Sequence, residues 1–403
     1  MRILTFTKLY PNEQMPLHGI FVARRVTALA HDHGHQVEVI APVPYFPKFL
    51  PAGGEWQKLQ QVPRYEERNG VSVYHPRYFN PPKIGMTRYG TWMAQGSIST
   101  VAARLQNGFP FDVIDAHFVY PDGLAAVQIG RKLNRPVVVT ARGSDVTRNK
   151  HLPQIRPLLG EVMRSAAQLI AVSEELRDDF IELGAAPEKI HVIPNGIDPE
   201  IFSPMPREVA CQQLGLNPKD RWLVSVGRLD HNKGQWVILE ALQKIGLKEL
   251  QRRQIKLALI GQGEDREKLE QVSRSFGLND IVHFAGQLNP EKICIWYNAA
   301  EVKILASLRE GSPNVVLEAL ACGTPVVASR AGRNEVVIRE KEHGLLFPLA
   351  NADALQTVIL QALDHQWNRQ QIALYGRQRN WTTVAREVES VLRLAIKNNT
   401  NPK

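Results

Sequence analysis

The sequence predicts two doubly wound α/β domains, and three observations carry that prediction. The chain has 403 residues, too many for one ordinary core. Short apolar runs alternate with helical segments in both halves, the pattern of parallel sheets covered on both faces. Between the two series lies Pro194 to Pro206, rich in Pro, Asn, Gly and Asp, as a linker is. A content of 44% hydrophobic and 22% charged residues is that of a soluble globular protein.

In the first half, Arg2–Thr7 reads as a strand and Ile20–His31 as a helix with Phe21, Ala28 and Leu29 inward. Gly34 stops the helix before the strand Gln36–Ala41. The loop Leu9–Gly19 joins strand to helix. Gly19 either punctuates that loop or lets backbone approach a ligand closely. Residues 42–110 read as loops, with prolines at 42, 44, 47, 51, 63, 76, 81 and 82 and one strand at Val71–Tyr74. Regularity returns with the strand Val113–His117, a helix near Leu124–Leu133, the strand Pro136–Ala141, and Arg142-Gly143-Ser144-Asp145 after it. Leu169–Val172 and Lys189–Ile193 complete the half. A single histidine out of 12 is more often structural than functional. His117, however, ends a parallel strand, on the edge where open α/β sheets bind ligands.

The second half repeats the pattern. Trp222–Val226 is a strand followed by Gly227-Arg228-Leu229-Asp230-His231-Asn232-Lys233-Gly234. Arg228 and Lys233 lie on that loop, a planar fork and a point charge able to converge on one anion. In isolation, solvated surface cations explain them equally. Lys256–Ile260 leads into Gly261-Gln262-Gly263. Arg266 stands where a dinucleotide fingerprint has its third glycine, so NAD is not indicated. Ile281–Phe284 ends in Ala285-Gly286-Gln287-Leu288.

Next comes Glu301 to Ala328, a β–loop–α–β unit. Val302–Ala306 is its strand and Ser307–Gly311 its loop. Ser312 is read as the helix N-cap and Pro313 as the first helical residue. Val315, Val316, Leu320 and Ala321 form the buried stripe, Gly323 ends the helix, and Val326–Ala328 is the second strand. Glu310 in the loop and Glu318 in the second helical turn flank the amides of Ser312, Pro313's neighbour Asn314, and Val315, a positive helix end suited to phosphate. Two carboxylates able to grip hydroxyls beside a phosphate site point to a sugar nucleotide. A structural unit with two solvated glutamates is the bland alternative. The chain closes with a helix over Asn380–Lys397, its stripe made of Trp381, Val384, Val388, Val391 and Leu392.

E-G-S-P-N-V-V-L-E-A-L-A-C-G-T-P-V-V-A resembles the E-x7-E signature of the retaining GT4-type glycosyltransferases of the GT-B fold, and Gly227 to Gly234 resembles their G-R-L-x-x-x-K-G segment. The resemblance covers nearly the whole chain and is strongest over residues 220–330. It implies two Rossmann-like domains facing a cleft: an acceptor-side domain at 1–198, a donor-binding domain at 199–378, and a helix at 379–403 returning to the first. By the same resemblance Arg228 and Lys233 neutralise the diphosphate leaving group, Glu310 holds sugar hydroxyls and Glu318 the ribose hydroxyls. Ser312, Pro313, Asn314 and Val315 cradle phosphate. Gly261 and Gly263 lie beside the nucleotide, with Gln287 and Leu288 beside its base. Gly19 approaches the diphosphate, and His117 touches the transferred sugar near its anomeric centre. Arg142 departs from the family, which often has histidine there.

The implied activity is transfer, with retention, of a sugar from a UDP- or GDP-linked donor to a glycan or lipid-linked acceptor in envelope or capsular polysaccharide synthesis. The acceptor is expected to be chosen by the loops of 42–110. No metal and no other cofactor is expected, since no DxD pair ends a strand. Three other readings were open. A glycosidase also uses two carboxylates, but here both come from one unit with a phosphate-type site between them. A sugar-nucleotide epimerase shares the architecture, and E-x7-E beside GRLDHNKG favours transfer. A non-catalytic sugar-nucleotide scaffold is disfavoured because every expected donor contact has a chemically competent residue.

The net charge of +9 favours anionic partners. No run of five or six basic residues and no nucleic-acid motif occurs, so nucleic acid is not expected. No run of eighteen apolar residues predicts a membrane span, and the N-terminal apolar run is short for a signal peptide. Three scattered cysteines, Cys211, Cys294 and Cys322, suggest neither a disulfide frame nor zinc, and a reducing cytoplasm fits. Residues 1–110 carry 12 lysines and arginines against 6 aspartates and glutamates, many beside aromatics, as at Arg64-Tyr65, Arg77-Tyr78-Phe79 and Arg88-Tyr89. Such a surface suits peripheral binding at the inner face of an anionic membrane.

Overall fold

The computed structural model describes residues 1–46, 54–81, 84–310, 313–332 and 334–400. It divides into Met1–Asn195 with Trp381–Lys403, and Gly196–Asn380.

The first unit is built on β1 (Arg2–Phe6), β2 (Gln36–Ile40), β3 (Val43–Pro44), β4 (Tyr65–Arg68), β5 (Val71–Tyr74), β6 (Arg77–Tyr78), β7 (Val113–His117), β8 (Val137–Ala141), β9 (Gln168–Ala171) and β10 (Ile190–Val192). Eight of these form one sheet in the order β10-β9-β8-β7-β1-β2-β5-β4, while β3 and β6 pair apart from it. Every pairing in the large sheet is parallel except β4 with β5. Every residue of β7 and β8 is buried, as continuous apolar runs in a doubly covered sheet require. The last helix, Trp381–Thr400, belongs to this unit. Its Trp381, Val384, Val388, Val391 and Leu392 join Ile3, Val22, Leu29 and Val39 in one core.

Residues 42–110 hold more order than the one strand expected. They include the helices Glu55–Gln61 and Tyr89–Gln106 and the hairpin β4–β5. Helix Tyr89–Gln106 has Gly90 and Gly96, several Ser and Thr, and a weak amphipathic pattern, so propensity argues against it. Packing overrides propensity: Met93, Ser97 and Val101 are wholly buried, and a side chain at Gly96 would meet Tyr78 at 2.7 Å.

The second unit is simpler. Its strands β11 (Arg221–Val226), β12 (Ile255–Ile260), β13 (Val282–Gly286), β14 (Val302–Leu305), β15 (Val326–Ser329) and β16 (Gly344–Phe347) form a six-stranded sheet in the order β13-β12-β11-β14-β15-β16. All five pairings are parallel. The chain direction of travel reverses between β11 and β14, and the loops leaving their C-terminal ends form the crevice where such sheets bind ligands. Among the described residues no helix is long and apolar enough to cross a membrane.

Candidate functional site

At the switch point of the second unit, four strand ends are laced together by their backbones. Gly227 N–H donates to Ile260 at 2.9 Å, Gly261 N–H to Gly286 at 2.8 Å and Leu229 N–H to Gln262 at 2.9 Å. Leu308 N–H reaches Asn232 at 2.8 Å, joining the loop after β14 to the loop after β11. The two glycines of the GxG turn have a packing reason to be there. A Cβ on Gly261 would lie 1.9 Å from the Gly227 carbonyl oxygen, and one on Gly263 2.1 Å from that of Leu229. That close approach holds the GxG turn against the loop bearing Arg228. Gln287 beyond β13 is exposed, while Leu288 packs on the apolar cluster around Trp296 and Val316.

Lys233 ends a short turn, His231–Lys233, capped by Asp230, whose Oδ1 accepts the Lys233 N–H at 3.2 Å. The Lys233 ammonium donates to Glu310 Oε1 at 2.6 Å, and Ser307 Oγ donates to the same oxygen at 2.6 Å. Glu310 is 8% exposed. Arg228 is held at 2.5 Å by Asp230 and is otherwise exposed. The two cations therefore do not share one partner: each has its own carboxylate. Asp230 and Ser307 escaped the reading of the sequence, although an Asp three residues before Lys233 is an N-cap signal.

The helix of the E-x7-E unit spans Asn314–Ala321 and begins one residue later than expected. Pro313 precedes it with φ −79° and ψ 75°, outside the helix rather than in its first turn. Ser312, expected as N-cap, lies outside the described residues. Pro313 itself supplies no side-chain cap. Val316 N–H turns back to Pro313 at 2.9 Å, while Asn314 and Val315 are half-buried at the helix mouth. One turn on, Glu318 Oε2 accepts a hydrogen bond from the Tyr297 hydroxyl at 3.2 Å. Burial pushes the Glu318 carboxyl up to about 7, against the opposing pull of Tyr297 and Lys303. Tyr297 was another residue that only the fold could bring in, since it lies on a different helix.

In the first unit, the expected histidine belongs to a buried chain of polar groups. Arg25 pairs with Asp115 and donates to Thr140 Oγ1 at 3.0 Å. Asp115 Oδ2 is 3.3 Å from His117 Nε2, and Arg142 Nη2 is 2.5 Å from His117 Nδ1. Arg142 also donates to Asn195 Oδ1 at 2.7 Å and lies over the Phe21 ring at 5.1 Å. An arginine only donates, so His117 Nδ1 accepts and its proton sits on Nε2, facing Asp115. Burial, with help from Arg25 and Arg142, drives the His117 imidazole down to about 3, and it is neutral. Burial alone would raise Asp115, but Arg25 and His117 hold its carboxyl well below the usual range.

His117 is 0% exposed and both ring nitrogens are engaged. A side-chain contact of His117 with a sugar does not fit that geometry. Arg142 lies half-buried at the same edge of the sheet. The signal for this network was an aspartate inside the apolar run Val113–Ala116, a placement that needs a partner. Gly19 adopts φ 70°, and a Cβ there would lie 2.3 Å from the Leu9 carbonyl oxygen, so closure of its own loop already requires glycine.

The chain is similar to known proteins. The family described as "Glycosyl transferases group 1" matches residues 206–379, and "Glycosyltransferase Family 4" matches residues 20–201. The putative teichuronic acid biosynthesis glycosyltransferase TuaC of Bacillus subtilis is 29% identical over 89% of this chain and 88% of its own length. D-inositol 3-phosphate glycosyltransferase of Frankia alni is 30% identical over 71% of this chain and 75% of its own. Among solved structures, Anabaena HepE in complex with UDP matches with a TM-score of 0.72 at 20% identity, over 98% of this chain and 100% of that one.

Proposed function

Because the chain belongs to the group 1 glycosyltransferases and has their GT-B architecture of two parallel-sheet domains, we infer the particular transfer it carries out. We propose that it moves a sugar, with retention of configuration, from a nucleotide-diphospho-sugar to a growing envelope or capsular glycan. The observation that carries this reading is the Lys233–Glu310 pair at 2.6 Å on the switch-point edge of the second unit. A cation for a diphosphate and a carboxylate for sugar hydroxyls there stand on adjoining loops.

In this reading Lys233 and Arg228 counter the charge that develops on the departing diphosphate, which lowers the barrier without a strong acid. The N-terminal end of helix Asn314–Ala321 adds backbone donors. Glu310, oriented by Ser307 and Lys233, accepts from hydroxyls of the transferred sugar. Glu318 accepts from the ribose. Within the first unit His117 Nδ1 accepts a hydrogen bond from the Arg142 guanidinium and orients it. A UDP-linked donor is supported by HepE, whose structure contains UDP, and a polysaccharide product by TuaC, named for teichuronic acid biosynthesis.

The division of labour between the glutamates tests the reading. Glu310→Ala is expected to erase discrimination between donors epimeric at the contacted hydroxyls, since a mismatched buried polar group is costly. Glu318→Ala is expected to weaken UDP and every UDP-sugar alike, by roughly tenfold for one charged hydrogen bond. Steady-state kinetics with UDP-glucose and its epimers, beside calorimetry with UDP, separates the two. The same pattern in both variants would refute the assignment.

We also propose that the first unit meets an anionic membrane and draws its acceptor there from a lipid-linked pool. Phe79, Ile84 and Met86 are 58%, 67% and 39% exposed, in the same stretch of chain as Arg77 and Arg88. Each basic residue near an anionic leaflet contributes about 1 kcal/mol. Co-sedimentation is expected with anionic vesicles at low salt, fading as salt screens the attraction, and not with neutral ones. Absence of binding at low salt would leave a soluble acceptor.

A further inference from the structure

Lys303 is the only lysine among the described residues that is wholly buried, at 0% exposure. It sits inside β14, whose other residues are Val302, Ile304 and Leu305. Alternation along the strand sends Val302 and Ile304 into the core around Val237 and Leu239. Lys303 therefore shares the opposite face with Leu305, where Cys294, Tyr297, Val316 and Leu320 gather. That face is covered by helices Pro290–Ala299 and Asn314–Ala321, which carry Tyr297 and Glu318.

The Lys303 ammonium donates to the Ile304 carbonyl at 2.9 Å and has no other hydrogen-bond partner among the described residues. An ammonium in such a place needs a counter-charge. Two acids act on it, Glu310 and Glu318. Glu310 already has Lys233 as its cation. Glu318 has only the neutral Tyr297 hydroxyl and no ion pair among the described residues. Burial pulls Lys303 down to about 7 with Lys233 repelling it, and burial lifts Glu318 to about 7 while Lys303 holds it back. The other ionisable groups facing this space are the Tyr297 phenol and the thiols of Cys294 and Cys322, whose sulfurs lie 3.7 Å apart.

We propose that Lys303 is a positioning residue for nucleotide recognition: its buried ammonium is the counter-charge that keeps the Glu318 carboxylate ionised and able to accept from ribose hydroxyls. The proposal rests on the assignment of Glu318 to the ribose and adds the group that sets its charge. Lys303 touches no ligand in this role. It acts through Glu318.

Two measurements test it, with Lys303→Met, Glu318→Gln and the double variant. In the first, UDP affinity is followed from pH 5.5 to 8.5 by calorimetry. Removing the positive charge raises the pH at which Glu318 ionises, so the rise in affinity with pH is expected to move up by about one unit in Lys303→Met. Glu318→Gln is expected to lack that rise, and adding Lys303→Met to it should change nothing further. UDP's own phosphate titration is common to all four proteins and cancels. A Lys303→Met profile that coincides with wild type overturns the role of Lys303. A Glu318→Gln profile that coincides with wild type instead overturns the ribose assignment.

The second measurement needs no ligand. If the two charges face each other, the double variant is expected to melt higher than Lys303→Met alone, because the single variant leaves the half-buried Glu318 without a counter-charge. A Lys303→Met chain that fails to fold but recovers with Glu318→Gln gives the same support. Additive effects of the two substitutions on the melting temperature would overturn the pairing.

Discussion

Replacing Asp115 by alanine is expected to cost the protein about 3–5 kcal/mol of stability, the usual consequence of leaving half of a buried ion pair behind. The Arg25 and Asp115 side chains are 2% and 0% exposed, so no water replaces the lost carboxylate. The same change removes the acceptor for His117 Nε2–H, and with it the orientation that offers Nδ1 to Arg142. Denaturant unfolding reads the loss directly. Converting both partners, Asp115→Leu with Arg25→Met, is expected to recover much of it, since two apolar residues of similar size leave no orphan charge. A single-variant loss below about 1 kcal/mol would mean that the network is not a stability element. The acid limb gives an independent check. Asp115 titrates well below an ordinary carboxylate, so its stabilising contribution is full above the unfolded value of 3.8 and is lost as pH falls through the depressed folded value. The Asp115→Ala variant should therefore lose less stability than wild type on acidification.

The second large effect is expected at Lys233. Lys233→Ala should weaken UDP by roughly tenfold to a hundredfold, the range of about 1.5–3 kcal/mol for a charge-assisted contact. It should lie at the upper end, because Glu310 is 8% exposed and loses its cation when Lys233 is cut. Arg228→Ala should lie nearer tenfold. Its side chain is 73% exposed, and an interaction in open solvent is screened. Titration calorimetry with UDP, with circular dichroism to confirm the fold, orders the two. Equal, unchanged affinities would remove both from the diphosphate site.

Much of this protein was written locally in its sequence. Most strands of the two sheets carry short apolar stretches, and their alternation with helical segments needs no tertiary information. Gly261 and Gly263, Arg228 and Lys233, and Glu310 all lie on loops that leave strand ends, where parallel sheets bind ligands, and Glu318 lies on the helix that follows one of them. What the tertiary structure decided were the pairings, because partners distant in sequence leave no periodic trace. Lys233 and Glu310 are 77 residues apart, Tyr297 and Glu318 are 21, and Arg25 and Asp115 are 90. The helix Tyr89–Gln106, unfavourable by composition, exists because its small residues fit against β6. His117 reads as a ligand contact at a strand end, yet the fold buries it against Arg142, which follows the next strand. The sequence by itself determined which residues carry charge near the site. Only the packing determined which of them face solvent and which neutralise one another, since burial and counter-charge are properties of neighbours in space.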